Sequence, residues 1–137
     1  LLGHDGCGVE AEERGVILDA RITPGAIVGC SAGTFARVLD ELVGNALDYA
    51  KRRVIVSVRR RADDVLLIVE DDGPGVPDAE FATIFDRFTR GSTAVSGGSG
   101  LGLALVREAA RAHGGDAEAA RSALGGLCVT TTWPCPA

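Results

Sequence analysis

The stretch of residues 34–49 constrains the fold most, because its apolar residues recur at intervals of three and four. This spacing places them on one face of an α-helix. Ser31 or Thr34 can act as the N-cap. A helix with a single apolar stripe has to bury that stripe against a second layer. The stripe consists of Phe35, Val38, Leu39, Leu42, Ala46 and Tyr49.

Strand patterns before this helix begin to supply that layer. Apolar residues alternate over residues 16–22, which is typical of a half-buried strand. A Pro-Gly turn then leads toward a short second strand at 26–30, and a hairpin is the simplest interpretation. Residues 1–15 show no clear period, so we expect a linker or a trimmed N-terminal segment there and a domain over residues 16–137.

Two further pairs of strands follow the helix. Residues 54–58 alternate, and residues 65–69 are continuously apolar, which favours a central strand antiparallel to its predecessor across a turn at 62–64. The last two strands are predicted at 116–121 and 127–133. These patterns indicate a mixed, mostly antiparallel sheet.

A second helix is predicted from Gly102 to His113, where Gly114 and Gly115 end it. The order is two strands, helix, two strands, a long loop, helix and two strands. This order favours an α+β fold with its helices layered on one face of the sheet.

Charge and hydropathy exclude several classes of function. The net charge of −5 argues against a general nucleic-acid binder, which needs basic residues to neutralise phosphates. The longest aliphatic run, residues 65–69, is far shorter than the roughly 20 residues of a membrane span. No signal segment opens the sequence, so we expect a soluble domain. The four cysteines are widely spaced and are interpreted as free thiols.

Glycine is the compositional oddity of the chain. Of its 19 glycines, seven lie between Gly73 and Gly102. Glycine permits positive φ angles and close approach of the backbone to a ligand. The cluster therefore points to a binding site within this stretch.

Glu41 and Asn45 form the first candidate site. They are four residues apart, so they share one face of the first helix, opposite the apolar stripe. A carboxylate can polarise an attacking group, and an amide oxygen one turn further along can bind Mg²⁺. A solvated helix face is the alternative.

Residues 70–75, Glu-Asp-Asp-Gly-Pro-Gly, form the second candidate site, where carboxylates leave the central strand and enter a tight turn. A carboxylate there can accept a hydrogen bond from an exocyclic amine, and Gly73 and Gly75 leave room for a flat ring. The spacing of an EF-hand calcium loop is absent. A plain polar turn is the alternative.

Residues 97–103 form the third candidate site, a glycine-rich segment that opens the second helix. Such a segment lets N–H groups converge on an anion at a helix N-terminus. Rossmann and P-loop spacings are absent. Arg87, Arg90 and Arg107 stand against the single acid Asp86 in this region, which favours phosphate as the ligand.

Four short motifs follow one another along the chain: 41–49 (Glu-Leu-Val-Gly-Asn-Ala-Leu-Asp-Tyr), 71–75 (Asp-Asp-Gly-Pro-Gly), 84–90 (Ile-Phe-Asp-Arg-Phe-Thr-Arg) and 98–103 (Gly-Ser-Gly-Leu-Gly-Leu). In order and spacing they resemble the N, G1, F and G2 boxes of the catalytic domain of sensor histidine kinases. The superfamily also includes gyrase, a heat-shock chaperone and the mismatch-repair ATPases. The resemblance spans residues 16–133.

The resemblance implies a two-layer α/β sandwich with three helices on a mixed sheet, and it implies ATP and Mg²⁺ as cofactors. Residues 78–99 would form a lid over ATP. Asn45 would hold Mg²⁺, Asp71 would accept from the adenine amine, and Glu41, with Arg87 or Arg90, would serve phosphoryl transfer. The other nucleotide-binding residues would be Tyr49, Gly73, Gly75, Phe88, Gly98, Ser99, Gly100, Leu101, Gly102 and Leu103.

The acceptor histidine of the resembled family is missing. His4 and His113 lack the sequence context of that histidine, and both are interpreted as structural or solvent-exposed residues. The acceptor would therefore lie on a dimerisation domain outside this chain, in a homodimeric parent protein anchored in the bacterial inner membrane. The chain itself would be a cytoplasmic monomer, with a response regulator downstream.

Asp48 departs from the family pattern, because a Lys or Arg often stands there; Lys51 or Arg52 could substitute for it. The open alternatives are an anti-sigma-type serine kinase with the same pocket and a degenerate nucleotide-binding interaction module.

Overall fold

The computed structural model describes residues 15–23, 32–86 and 102–134. Within these ranges two α-helices, α1 (Ala32–Tyr49) and α2 (Gly102–Ala112), accompany five strands and two short 3₁₀ turns, Asp78–Glu80 and Thr83–Phe85. The strands are β1 (Ile17–Ile22), β2 (Arg53–Arg61), β3 (Asp64–Asp71), β4 (Asp116–Arg121) and β5 (Leu127–Pro134).

The strands form one mixed sheet in the order β1-β2-β3-β5-β4. β1 is parallel to β2, and the other three pairs are antiparallel. β2 and β3 are joined by a tight turn at Ala62 and Asp63, where Ala62 has a φ of 52°. The predicted mixed, mostly antiparallel sheet with β3 at its centre is confirmed.

Both helices pack on the same face of the sheet, as the α+β prediction requires. The core contains Val38, Leu42 and Val43 of α1 and Val106 and Ala110 of α2. These residues meet the inward-facing side chains of the strands. The strand residues of the core include Val54, Val56, Val58, Val65, Leu67, Val69, Ala117, Leu127, Val129 and Trp133.

α2 ends just before Gly114 and Gly115, the two glycines predicted to terminate it. Gly114 has a φ of +87°, in the left-handed region that favours glycine. The N–H of Gly115 donates to the carbonyl of Ala110 at 2.8 Å. A Cβ on Gly115 would collide with the backbone carbonyl of Thr132, so the chain leaves the helix directly against β5.

Only part of the alternating set in and before β1 is buried as predicted. Val16, just before the strand, is buried and Leu18 packs against the core, but Ala20 and Ile22 of the same alternating set are exposed. β1 is an edge strand, and the helices pack mainly on β2 to β5. Its described neighbour is β2, and the predicted hairpin strand at 26–30 lies outside the described residues.

In the described ranges, no helix combines the length and apolarity that a membrane span requires. Cys128 is a free thiol, while Cys7, Cys30 and Cys135 lie outside the described residues.

Candidate functional site

Asp71 is the buried centre of the site. It is the last residue of β3, and only 2% of its surface is exposed. Its Oδ1 accepts from the N–H of Gly73 at 2.8 Å and from that of Leu127 at 3.4 Å. Burial raises the pKa of Asp71 to about 6, with a smaller contribution from the negative charges of Asp72 and Glu70, and the two backbone donors oppose the shift.

Backbone surrounds this carboxylate so closely that side chains are excluded. A Cβ on Gly73 would collide with the carbonyl oxygen of Tyr49, at the end of α1. A Cβ on Gly126 would collide with Oδ1 of Asp71 and would lie 2.7 Å from the nitrogen of Gly73. Gly75 has a φ of +71°. These glycines let the end of α1, the turn after β3 and the turn before β5 meet around Asp71.

Gly126 is a site residue that the sequence reasoning missed. The only local signal is the adjacent pair Gly125-Gly126 before a predicted strand, which normally indicates nothing more than a turn. Its contact with Asp71 joins residues 55 positions apart in the chain, which a local pattern does not show.

Asp72 stabilises the turn between α1 and β2. Its carboxylate accepts from the backbone N–H groups of Lys51 at 2.8 Å, Arg52 at 3.1 Å and Arg53 at 3.2 Å. Slight burial favours the protonated form, but the three donors outweigh it, so the pKa of Asp72 lies below its usual value of 3.8. Asp72 therefore holds the segment that follows the helix against the turn that follows β3.

Glu41 connects α1 to the start of α2. Glu41 and Asn45 are both partly buried on α1. A Cβ on Gly102 would lie 2.6 Å from Oε2 of Glu41, so this carboxylate lies against the first residue of α2. Leu103, the next residue, packs partly buried against the core.

The structure thus brings together the described members of three predicted motifs. Tyr49 meets Gly73 through its backbone, Glu41 meets Gly102, and Gly75 follows the Asp71 turn. The remaining predicted site residues lie outside the described ranges. They are Arg87, Phe88, Arg90, Gly98, Ser99, Gly100 and Leu101.

Arg107 makes contacts that the sequence did not predict. Its guanidinium carbon lies 4.4 Å from the centre of the Phe85 ring, and Nη2 donates to the carbonyl of Ala117 at 3.1 Å. The side chain is 24% exposed. The sequence predicts that Arg107 adds to the positive charge favouring phosphate. In the structure its guanidinium is held by Phe85 and Ala117 of the protein itself.

The contacts of His113 support its interpretation as a structural residue. Its Nδ1 lies 2.8 Å from the carbonyl oxygen of Ala109, and its ring lies 5.9 Å from that of Trp133. His4 lies outside the described residues.

Residues 30–137 match a family model described as histidine kinase-, DNA gyrase B-, and HSP90-like ATPase. The chain belongs to this family. The resemblance of the sequence to this superfamily of ATPases is thereby confirmed.

Proteins similar to this ATPase domain include sensor histidine kinases, which confirms the resemblance of the sequence to their catalytic domain. PrrB of Mycobacterium tuberculosis is 40% identical over 124 residues, which cover 87% of this chain and 27% of PrrB. The mycobacterial sensor histidine kinase MprB has a solved structure that superposes with a TM-score of 0.83 at 26% identity, covering 95% of this chain and 91% of that one. The ATPase domain thus corresponds to the catalytic, ATP-binding part of such kinases and spans about a quarter of PrrB.

A third similar protein has been solved with a bound nucleotide analogue. Full-length ShkA, solved in complex with AMPPNP, superposes with a TM-score of 0.77 at 26% identity. The match covers 92% of this ATPase domain and 27% of the ShkA chain.

Proposed function

We propose that this domain binds Mg²⁺-ATP and transfers the γ-phosphoryl group to a histidine on a dimerisation domain outside the chain. The observation that carries the proposal is the buried Asp71 carboxylate, held in a backbone cradle beside the helix of Glu41 and Asn45. In this proposal Asp71 would be the base-binding acceptor, and the phosphates would lie toward Glu41 and the start of α2, which meet at Gly102.

Asp71 is the proposed acceptor for the exocyclic amine of adenine. Its ionised form is an acceptor only, so it selects an amino group over a carbonyl at the same position of a purine. The cradle of Gly73, Gly75 and Gly126 leaves backbone rather than side chains around the carboxylate, which suits the edge of a flat ring. AMPPNP bound to ShkA supports an adenine nucleotide as the ligand.

Asn45 is the proposed protein ligand of Mg²⁺. Mg²⁺ keeps several waters and is usually held by one or two protein groups together with substrate phosphates. The amide oxygen of Asn45 fits that donor set, and it lies on α1 one helical turn from Glu41, whose carboxylate lies against the first residue of α2. The bound ion would supply charge neutralisation on the phosphates.

Glu41 is proposed to orient or activate the acceptor histidine. In the transfer, the bond between the γ-phosphorus and its bridging oxygen breaks as a bond to an imidazole nitrogen forms. ADP leaves, and the imidazole loses a proton. Arg87 or Arg90 would stabilise the charge of the transferred group.

The glycine-rich segment and its neighbours complete the proposed site. Gly98, Ser99, Gly100, Leu101, Gly102 and Leu103 would lie along the triphosphate, and Phe88 and Tyr49 would contact the nucleotide. Residues 78–99 would form the lid, anchored where Ile84 and Phe85 are buried in the core. The domain would comprise residues 16–137, with 1–15 as a linker.

The named relatives also support proposals about the parent protein. It would be a homodimer anchored in the bacterial inner membrane that passes the phosphoryl group to a response regulator, while this domain alone would be monomeric. The relatives are named histidine kinases, so they favour histidine over the serine of an anti-sigma-type kinase and an active domain over a degenerate one.

The nucleotide site is tested by calorimetric titration of Mg²⁺-ATP into the wild type and two variants. Asp71→Asn keeps an oxygen that can accept from the backbone donors but presents an amide to the base, and Asn45→Ala removes the metal ligand. We expect ATP affinity to fall at least about tenfold in each, which corresponds to about 1.4 kcal/mol. Unchanged affinity in both variants contradicts the site.

Matched controls separate these losses from general damage. Glu118→Gln changes an exposed carboxylate on β4, and Arg37→Ala changes an exposed residue on α1. Both are expected to bind ATP as the wild type does.

The acceptor is tested by supplying labelled ATP with a histidine-bearing or a serine-bearing partner domain. Acid-labile label on the former supports the proposal, whereas acid-stable label on the latter supports the serine kinase. ATP binding without transfer to either partner supports the degenerate module.

A further inference from the structure

We propose that Arg107 is a positioning residue that sets the phosphate-side end of α2 against Glu41. The inference rests on the proposed function, because it assigns α2 a place along the triphosphate. Arg107 touches no nucleotide in this view. It acts through the helix, which begins at Gly102 and carries Arg107 in its second turn.

The first contact of Arg107 is with Phe85, in the second 3₁₀ turn. The guanidinium carbon lies 4.4 Å from the ring centre, within the range of a cation–π interaction. Phe85 is 4% exposed, so the interaction is partly desolvated and the ring has a fixed place in the core. The interaction therefore joins α2 to the 3₁₀ turn Thr83–Phe85.

The second set of contacts is with the start of β4. Nη2 donates to the carbonyl of Ala117 at 3.1 Å, and Nε lies 3.5 Å from Oδ1 of Asp116. Nε is buried and makes no hydrogen bond, so its contact with Asp116 is electrostatic. One side chain thus ties α2 to both a 3₁₀ turn and a strand.

The contacts of Arg107 restrain the orientation of α2, which its apolar packing alone does not fix. The buried residues of the helix are Ala104, Val106 and Ala110, which are small and make non-directional contacts. At its first residue α2 meets the carboxylate of Glu41, the flexible end of a side chain. The stacked and hydrogen-bonded guanidinium therefore provides a directional restraint, and misplacement by about 1 Å can cost a site much of its activity.

Arginine suits this place better than lysine. A planar guanidinium can lie on a ring and donate in its own plane at the same time, whereas an ammonium is a compact charge that does not stack. Arg107→Lys should therefore keep the charge but lose part of the restraint.

Arg111 provides a matched control on the same helix. Its Nε lies 3.0 Å from the same Asp116 oxygen, and its side chain is 58% exposed. Arg111→Met removes an ion pair to Asp116 without touching Phe85 or Ala117.

The test compares affinities for Mg²⁺-ATP and for adenosine, which lacks phosphates and would report only the Asp71 end. In Arg107→Met we expect ATP affinity to fall about tenfold and adenosine affinity to stay within twofold of the wild type. Arg107→Lys should be intermediate for ATP. Arg111→Met should match the wild type for both ligands.

Three outcomes overturn the inference. Arg107→Met and Arg107→Lys can both bind ATP normally, Arg111→Met can lose as much ATP affinity as Arg107→Met, or Arg107 variants can lose adenosine and ATP equally, which indicates general destabilisation. If Arg107→Met does not fold by circular dichroism, Arg107→Lys and Phe85→Leu decide by the same comparison. A wild type that binds neither ligand overturns the proposed function itself.

Discussion

The two ends of the proposed nucleotide site are built in different ways. At the Asp71 end, backbone meets backbone: Gly73 lies against the carbonyl of Tyr49, and Gly126 lies against Asp71 and Gly73. At the α2 end, the described contact is between Gly102 and the tip of the Glu41 side chain. The first end has no freedom to adjust, whereas the second can adjust by rotating one side chain. In the proposed site, the base would then lie in a preformed cradle, and the phosphates would lie at the end that can adjust.

The largest expected effect comes from adding one methyl group at the rigid end. Gly126→Ala places a Cβ against the carboxylate and carbonyl of Asp71 and the nitrogen of Gly73, all of them held by the backbone. We expect the free energy of unfolding to fall by about 3 kcal/mol, the upper range for overpacking. Urea denaturation measures this.

Gly125→Ala is a useful companion to Gly126→Ala, because a Cβ at Gly125 meets nothing within 4 Å but its φ is +103°. It reports the cost of backbone conformation alone. A Gly126→Ala variant as stable as the wild type would show that the rigid end yields after all.

A smaller effect is expected from pH at the same end. Because the pKa of Asp71 is about 6, lowering the pH from 7 to 5 reduces its ionised fraction roughly tenfold, and we expect a similar loss of ATP affinity, about 1.4 kcal/mol. Calorimetric titration across this range measures it. In Asp71→Asn the residual affinity should lack this step, and persistence of the step there would assign it to another group.

The same shift has the opposite sign for folding. The folded-state pKa of Asp71 is raised, so its protonation favours the folded state and this contribution is lost as pH rises through about 6. Binding and the contribution of Asp71 to stability should therefore move in opposite directions between pH 7 and pH 5.

Asp72 is expected to contribute about 1 kcal/mol, the net value of a typical hydrogen bond, because its donors are solvent-accessible. Asp72→Ala removes the acceptor of Lys51, Arg52 and Arg53, and thermal unfolding measures the loss. Its pKa is lowered, so its contribution is present above the unfolded value near 3.8 and is lost as pH falls below it.

Asp72→Asn, which keeps one acceptor oxygen, should lie between Asp72→Ala and the wild type. Equal stability of all three proteins would show that this link between the two turns does not restrain the rigid end.

The smallest effect is expected at the adaptable end. In Gly102→Ala the added Cβ meets only the carboxylate of Glu41, which can rotate away. We expect the free energy of unfolding to change by less than about 0.5 kcal/mol, as for a substitution that disturbs no fixed group. Chemical denaturation beside Gly126→Ala gives the contrast directly. A loss as large as that of Gly126→Ala would remove the distinction between the two ends.

Local patterns predicted the elements that are periodic. The helix over 34–49, the strand at 116–121 and the last strand at 127–133 are confirmed to within two residues, because each depends on spacing within a short window. The placement of Asp71 and Gly73 beside one another follows from the same turn.

What the sequence did not predict depends on distant parts of the chain. The contacts of Gly126 with Asp71 and of Arg107 with Phe85 arise only when strands and helices pack, and no local period encodes them. The exposure of Ala20 and Ile22 in β1 has a similar cause, since burial there depends on how far the helix layer extends over the edge of the sheet.

The parallel pairing of β1 and β2 has a consequence for the order of folding. β2 and β3 are joined by a two-residue turn, so their pairing closes a very short loop, whereas the pairing of Ile17 with Arg53 must first close the loop that contains α1. Closing a longer loop costs more chain entropy and slows contact formation. We therefore expect the β2–β3 hairpin to form before β1 joins it at the edge of the sheet.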